Sequence, residues 1–149
     1  MQINVVNINF DSIDDVEGFY RFIIEMTPRY NVKDVAKSVI KVQEESLKGR
    51  FKIPLYVATD QEGGWIRHIK GRTSDTPGNL AIGATGLASD AYYSGYYIAK
   101  ELRAMGINMN FAPTVDIYTN LNSTVIGPRA FSSNALDTGI LGASYCYNS

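Results

Sequence analysis

Residues 53–68 read IPLYVATDQEGGWIRH, and the fold turns on how this run changes character half-way. Ile53 to Ala58 is almost unbroken apolar, and Asp60, Gln61, Glu62, Gly63 and Gly64 follow close behind. A short apolar run that opens abruptly onto acids and glycines is the pattern of a buried parallel strand whose C-terminal end faces a site. In α/β architectures ligands bind outside the carboxyl ends of the strands, which makes the polar residues after the run functional candidates. Glycine, lacking Cβ, lets the backbone pass close to a ligand or adopt positive φ. A plain βα turn whose acids cap the next element has the same composition, and spacing alone leaves both readings open.

Upstream, Asn31 is placed to cap a helix with Val32, Val35, Ala36, Val39, Ile40 and Leu47 on its apolar face. Lys33, Lys37, Lys41, Glu44 and Glu45 form the wet side, and Gly49 is placed to end it. Before that helix, Tyr20 to Met26 is a strand or a helical turn closed by Pro28. Residues 1–19 alternate at Ile3, Val5, Ile8 and Phe10 and read as an edge strand or an irregular lead-in.

Downstream, Arg67 to Leu87 reads as loop, punctuated by Gly71, Pro77, Gly78, Gly83 and Gly86. Gly83-Ala84-Thr85-Gly86 lacks both the dinucleotide fingerprint and the phosphate-loop lysine, which argues against nucleotide binding. Ser89 reads as the N-cap of a helix reaching Met105, with Ala91, Gly95, Ile98, Ala99, Leu102 and Met105 on one face. Tyr92, Tyr93, Tyr96 and Tyr97 flank that face, and packing is the favoured reading of aromatics at this spacing. Ile107 to Ala112 is the next strand, followed by Pro113 and Asp116, and a last helix runs from about Asn134 to Tyr145. The order helix, strand, polar loop occurs twice, which puts Asp60 and Asp116 on one face of a parallel sheet.

The bulk properties narrow the function. A chain of 149 residues suits one domain, and 45% hydrophobic with 19% charged residues suits a globular one. The net charge of −1 offers no basic footprint, which argues against nucleic acid as a partner. Cys146 and His68 are the only residues of their kinds, so neither an internal disulfide nor a zinc site of the usual ligands can be built, and no metal or cofactor is expected. A Ser-His-Asp arrangement would have to use His68. With no signal-peptide pattern and no membrane-length apolar run, the expectation is a cytoplasmic chain, or one lacking its export signal, without a membrane partner.

Asp60-Gln61-Glu62-Gly63-Gly64, together with Gly106 to Pro113 (GINMNFAP), resembles the N-terminal domain of family 3 glycoside hydrolases, most closely the β-N-acetylglucosaminidase branch. Pro77-Gly78-Asn79 with Ala81 to Thr85, Lys100 to Gly106, Asp116 with Thr119-Asn120, and Val125 to Phe131 extend the resemblance over roughly residues 31–131, with residues 1–30 a poorly matched lead-in. The resemblance implies a (β/α)₈ TIM-type barrel, a retaining mechanism on β-linked N-acetylglucosamine or β-glucose, and a sugar bound at the C-terminal face. It gives Asp60 the role of holding sugar hydroxyls and Arg129 that of lying against the same sugar. Both roles suit the groups: a carboxylate accepts from adjacent hydroxyls and a guanidinium donates in a fixed plane. For Arg129 a structural salt bridge to one of the acids is the alternative, and the two roles can coexist.

The sequence also departs from the family. His68 stands where arginine is frequent, Pro128 replaces a frequent acid and Ala130 a frequent serine, while Trp65 is a sugar platform or a packing residue. The family's later Lys-His-x-Pro-Gly-His-Gly motif, its acid/base histidine and its aspartate nucleophile are not in this sequence. A complete barrel takes about 250 residues, so the expectation is roughly the first half of one, with no catalytic residue of its own. Asp60 with Asp116, or Asp60 with Glu62, can be posed as a replacement pair, but the resemblance gives Asp60 a binding role. The alternative is a non-catalytic half-barrel that serves as a sugar-binding or assembly module. Unpaired sheet edges would favour self-association in either case.

Overall fold

Asn31 caps a helix as its position predicts. Its Oδ1 accepts from the backbone N–H groups of Lys33 (3.0 Å) and Asp34 (3.1 Å), satisfying donors that the first turn leaves orphaned. The helix that follows is α1 (Val32–Lys48), ended at Gly49. The computed structural model describes residues 21–23 and 31–147, so the alternating segment from Ile3 to Phe10 lies outside the described residues.

Helix α1 buries Val35 and Val39, whereas Ile40 and Leu47, expected on the same face, are 56% and 47% exposed. The buried stripe is narrower than the apolar pattern because Ser46 takes the inner position near the C-terminal end, where its hydroxyl donates to the carbonyl of Ile53.

Three parallel strands, β1 (Arg21–Ile23), β2 (Tyr56–Thr59) and, later in the chain, Met109–Asn110, form a sheet with β2 in the middle. The strand reading of the Tyr20 to Met26 run therefore holds at Arg21–Ile23, where Phe22 pairs with Val57. Strand β2 starts later than the apolar run suggests. Pro54 offers no N–H, Ile53 is 63% exposed, and the backbone of Leu55 is paired by the side-chain amide of Gln43 instead of a neighbouring strand.

The chain then makes a small antiparallel hairpin, β3 (Gln61–Gly63) and β4 (Ile66–Arg67), which the sequence reading did not anticipate. The stretch expected as loop contains a short helix, α2 (Asn79–Thr85). Gly83 is not punctuation there. A Cβ at this position would collide with the carbonyl of Phe131, so glycine is what lets α2 touch that backbone.

Helix α3 (Ala88–Ala104) is capped at Leu87 and not at Ser89, with no side-chain cap. It buries Ala91, Ser94, Gly95, Ile98 and Leu102, and its tyrosines pack on one another: Tyr92 on Tyr96 at 6.2 Å and Tyr93 on Tyr97 at 6.3 Å. The last sheet strand, β5 (Met109–Asn110), is shorter than the expected Ile107 to Ala112, because at Asn108 the side chain joins the backbone in pairing with β2. Helix α4 (Ala135–Cys146) is capped by Asn134 and packs against α3. Val35, Val39, Val57, Ile82, Ile98, Phe131 and Leu141 meet in one core, each contributing about 1.5–3 kcal/mol by leaving water.

Candidate functional site

The site grows from the C-terminal ends of β2 and β5. Glu62 lies on β3, two residues beyond Asp60, with its side chain only 5% exposed. A carboxylate this deep needs a partner. It has one in Arg129, from the 3₁₀ turn Gly127–Arg129, whose Nε and Nη2 donate to the two Glu62 oxygens at 3.0 and 2.7 Å. Thr114, just past β5, completes the cluster: its hydroxyl donates to Glu62 Oε1 (3.0 Å) and accepts from Arg129 Nη2 (3.0 Å).

The backbone around the arginine is fixed as well. Asn79, at the start of α2, donates through Nδ2 to the Arg129 carbonyl at 2.7 Å. Gly63 and Gly64 have φ of 92° and 54°, and a Cβ on Gly64 would sit 2.6 Å from Gly78 Cα. One on Gly78 would approach the Pro128 carbonyl at 3.2 Å. Three loops, after β3, before α2 and before Arg129, thus touch main chain to main chain. From α4, the Tyr145 hydroxyl donates to the carbonyls of Gln61 (3.3 Å) and Glu62 (3.5 Å), and burial holds that phenol well above its usual range.

Asp60 is half-buried and makes no hydrogen bond or ion pair among the described residues, whereas Arg129 is spoken for. The hydrogen bonds with Glu62 chiefly hold the Arg129 guanidinium above its ordinary range; the charges of Glu62, Asp116 and Asp60 add to this and burial opposes it. Both sequence candidates therefore stand in one neighbourhood, with Asp116 beside them. Sequence reading had Glu62 among the polar candidates after the strand and as a replacement catalytic partner, and did not single out Thr114, Asn79 or Tyr145. Asn79 sits in Pro77-Gly78-Asn79, and Thr114 follows the β5 run, but neither pattern announces which backbone or carboxylate it will reach. Three buried polar atoms close by, Thr59 Oγ1, Thr76 Oγ1 and Asn79 Oδ1, have no hydrogen-bond partner among the described residues. Among those residues no group of His, Cys, Asp and Glu could hold a metal ion, and no helix is long and apolar enough to cross a membrane.

Trp65, at the tip of the β3–β4 hairpin, is 73% exposed, so it is not a packing residue. The salt-bridge alternative for Arg129 is realised with Glu62. Chemically, the cluster is a charge-assisted clamp, and Asp60 beside it has no hydrogen-bond partner among the described residues.

Comparison with known proteins agrees with this architecture. The sequence pattern of the glycosyl hydrolase family 3 N-terminal domain matches residues 19–147. The chain is 38% identical over 111 residues to beta-hexosaminidase A of Pseudoalteromonas piscicida, covering 70% of this chain and 19% of that protein. It is 31% identical over 100 residues to the beta-N-acetylglucosaminidase/beta-glucosidase of Cellulomonas fimi, covering 67% and 18%. Among solved structures it is similar to a family 3 beta-N-acetylglucosaminidase from Paenibacillus sp. str. FPU-7, with TM-score 0.79 and 36% identity over 85% of this chain and 24% of the other. The chain thus spans about a fifth of the length of these curated relatives. On the match across residues 19–147, the chain belongs to glycosyl hydrolase family 3 and carries its N-terminal domain.

Proposed function

We propose that residues 1–149 form one domain, about the first half of a (β/α)₈ barrel, and supply the sugar-holding side of a retaining glycosidase acting on β-linked N-acetylglucosamine or β-glucose. Asp60 carries this reading. It stands at the end of the central strand, beside a clamped arginine, with its carboxylate unengaged among the described residues. Asp60 accepts from adjacent sugar hydroxyls. Arg129 is fixed by Glu62, Thr114 and a longer contact from Nη1 to the Val125 carbonyl (3.4 Å). These bonds use four of its five N–H groups, and the fifth, on Nη1, is left for the same sugar.

Glu62 is an anchor in this scheme. Its two oxygens are taken by one edge of the guanidinium and by the Thr114 hydroxyl, so its role is to hold the arginine in place. Retaining hydrolysis needs two groups across the scissile bond, about 5–5.5 Å apart when both are carboxyls, and these come from outside residues 1–149. The parallel edge of β5 has no partner among the described residues, which supports self-association of the isolated chain.

The test pairs titration calorimetry of N-acetylglucosamine with hydrolysis of a chromogenic N-acetyl-β-glucosaminide by the 149-residue chain. Binding without turnover is expected, and Asp60→Ala should weaken it by more than about 1 kcal/mol, roughly fivefold. Turnover that disappears in both Asp60→Asn and Asp116→Asn would locate the catalytic pair within the chain and overturn the assignment.

A further inference from the structure

Trp65 is the only tryptophan in the chain, and its position does not suit a packing role. The residue is 73% exposed, and its ring makes no ring stacking, cation contact or hydrogen bond among the described residues. The contrast with the tyrosines of α3 is plain: Tyr92, Tyr93, Tyr96 and Tyr97 satisfy one another in stacked and edge-on pairs. Exposing a ring as large as indole forgoes a large apolar contact.

The surroundings of Trp65 are rigid although the ring is open. It follows Gly64, whose N–H donates to the Thr76 carbonyl at 3.0 Å and whose Cα lies against Gly78. Gly78 in turn lies against Pro128, the residue before Arg129. The hairpin tip and the arginine turn are therefore neighbours, joined through one glycine. Along the chain Trp65 is three residues beyond Glu62, a reach of up to about 10 Å at the extended rise of about 3.3 Å per residue. The chain therefore keeps Trp65 near the cluster, and its exposure keeps it open to solvent.

We infer that Trp65 is a specificity-determining platform for a second sugar ring, the one linked to the ring held by Asp60 and Arg129. The apolar face of a pyranose covers the indole while its hydroxyls stay in water, a use that suits a flat, exposed aromatic. This rests on the reading of Asp60 and Arg129 as sugar ligands and goes beyond it by assigning what lies next to that sugar.

The experiment compares N-acetylglucosamine with its β-1,4-linked dimer on the 149-residue chain, by calorimetry and by the emission of the single tryptophan. The dimer should bind at least fivefold more tightly than the monomer, and only the dimer should shift and quench the emission. Trp65→Ala should reduce dimer affinity to that of the monomer and leave the monomer unchanged, while Trp65→Tyr should restore part of the preference. Circular dichroism of each variant checks that the fold is retained. Equal affinity for the two sugars, or a dimer preference that survives Trp65→Ala, overturns the platform while leaving the sugar site standing. If neither sugar binds, the reading of Asp60 and Arg129 fails first and the platform falls with it.

Discussion

At the N-terminal end of β2 the backbone is gripped by neutral amides, whereas just beyond its C-terminal end two ions face each other. Gln43 both donates to and accepts from the backbone of Leu55, and Asn108 accepts from Val57 N–H (2.8 Å) while donating to the Leu55 carbonyl (3.0 Å). The other end has amides too, Asn110 on the backbone of Gln61 and Gln61 on the backbone of Ile69, but it adds Glu62 and Arg129. Amides hold a strand in register at little electrostatic risk. A buried ion pair is a poor device for stability alone, because its desolvation penalty offsets much of its attraction. Among the described residues the Glu62–Arg129 pair lies only beyond the C-terminal end of β2, the end at which α/β folds place their reactive face.

Arg129→Met should break the comparison most severely. It leaves Glu62 buried without a counter-ion, and a loss of about 3–5 kcal/mol in urea-unfolding stability is expected. Replacing both residues, Glu62→Leu with Arg129→Met, should recover most of that loss; no recovery would mean that the pair is not what sets the cost. Asn108→Ala is the matched change at the opposite end. Val57 N–H is fully buried, and stranding it should cost about 1–3 kcal/mol while sugar affinity stays unaltered. If Asn108→Ala abolished sugar binding as Arg129→Met should, the two ends would not be functionally distinct.

The smallest effect belongs to Tyr145→Phe. Its hydrogen bonds are long, and removing them should cost about 0.5–1.5 kcal/mol at neutral pH. Burial raises the phenol's pKa in the folded state, so its contribution is whole below the unfolded value of about 10 and is lost as pH rises past it. Thermal melts across that range should show a shallower alkaline decline in Tyr145→Phe than in the parent; parallel declines would show that other groups govern it.

Local chemistry was readable from the sequence and reach was not. The cap at Asn31 was legible because the capping group and its targets lie within three residues, and the start of the last helix was legible at Asn134, which also caps it. The cap expected at Ser89 failed because a serine near a helix start announces competence to cap, not the turn at which the helix begins. Helix α2 was hidden by Gly83, which looked like a breaker and is a contact with Phe131. Ile40 and Leu47 looked buried because periodicity reports a face, not whether anything covers it. At the site, Asp60, Glu62 and Arg129 were all in view. That Glu62 and not Asp60 takes the arginine depends on a bridge across 67 residues, which no spacing rule encodes. Asn108 and Asn110 did leave a trace, two amides two residues apart in an apolar run, the period at which side chains share one side of a strand.

The junction of Gly64, Gly78 and Pro128 carries a consequence for how such a domain can diversify. Where three loops meet through main chain, there is no side chain to trim, enlarge or recharge, and any added atom pushes all three apart. Novelty has to arise around the knot instead of inside it. Trp65, which flanks it and is exposed, is a position that can be exchanged while the spacing beneath it stays constant. A domain built this way can be redecorated at such a position while the dimensions of the frame beneath it stay fixed.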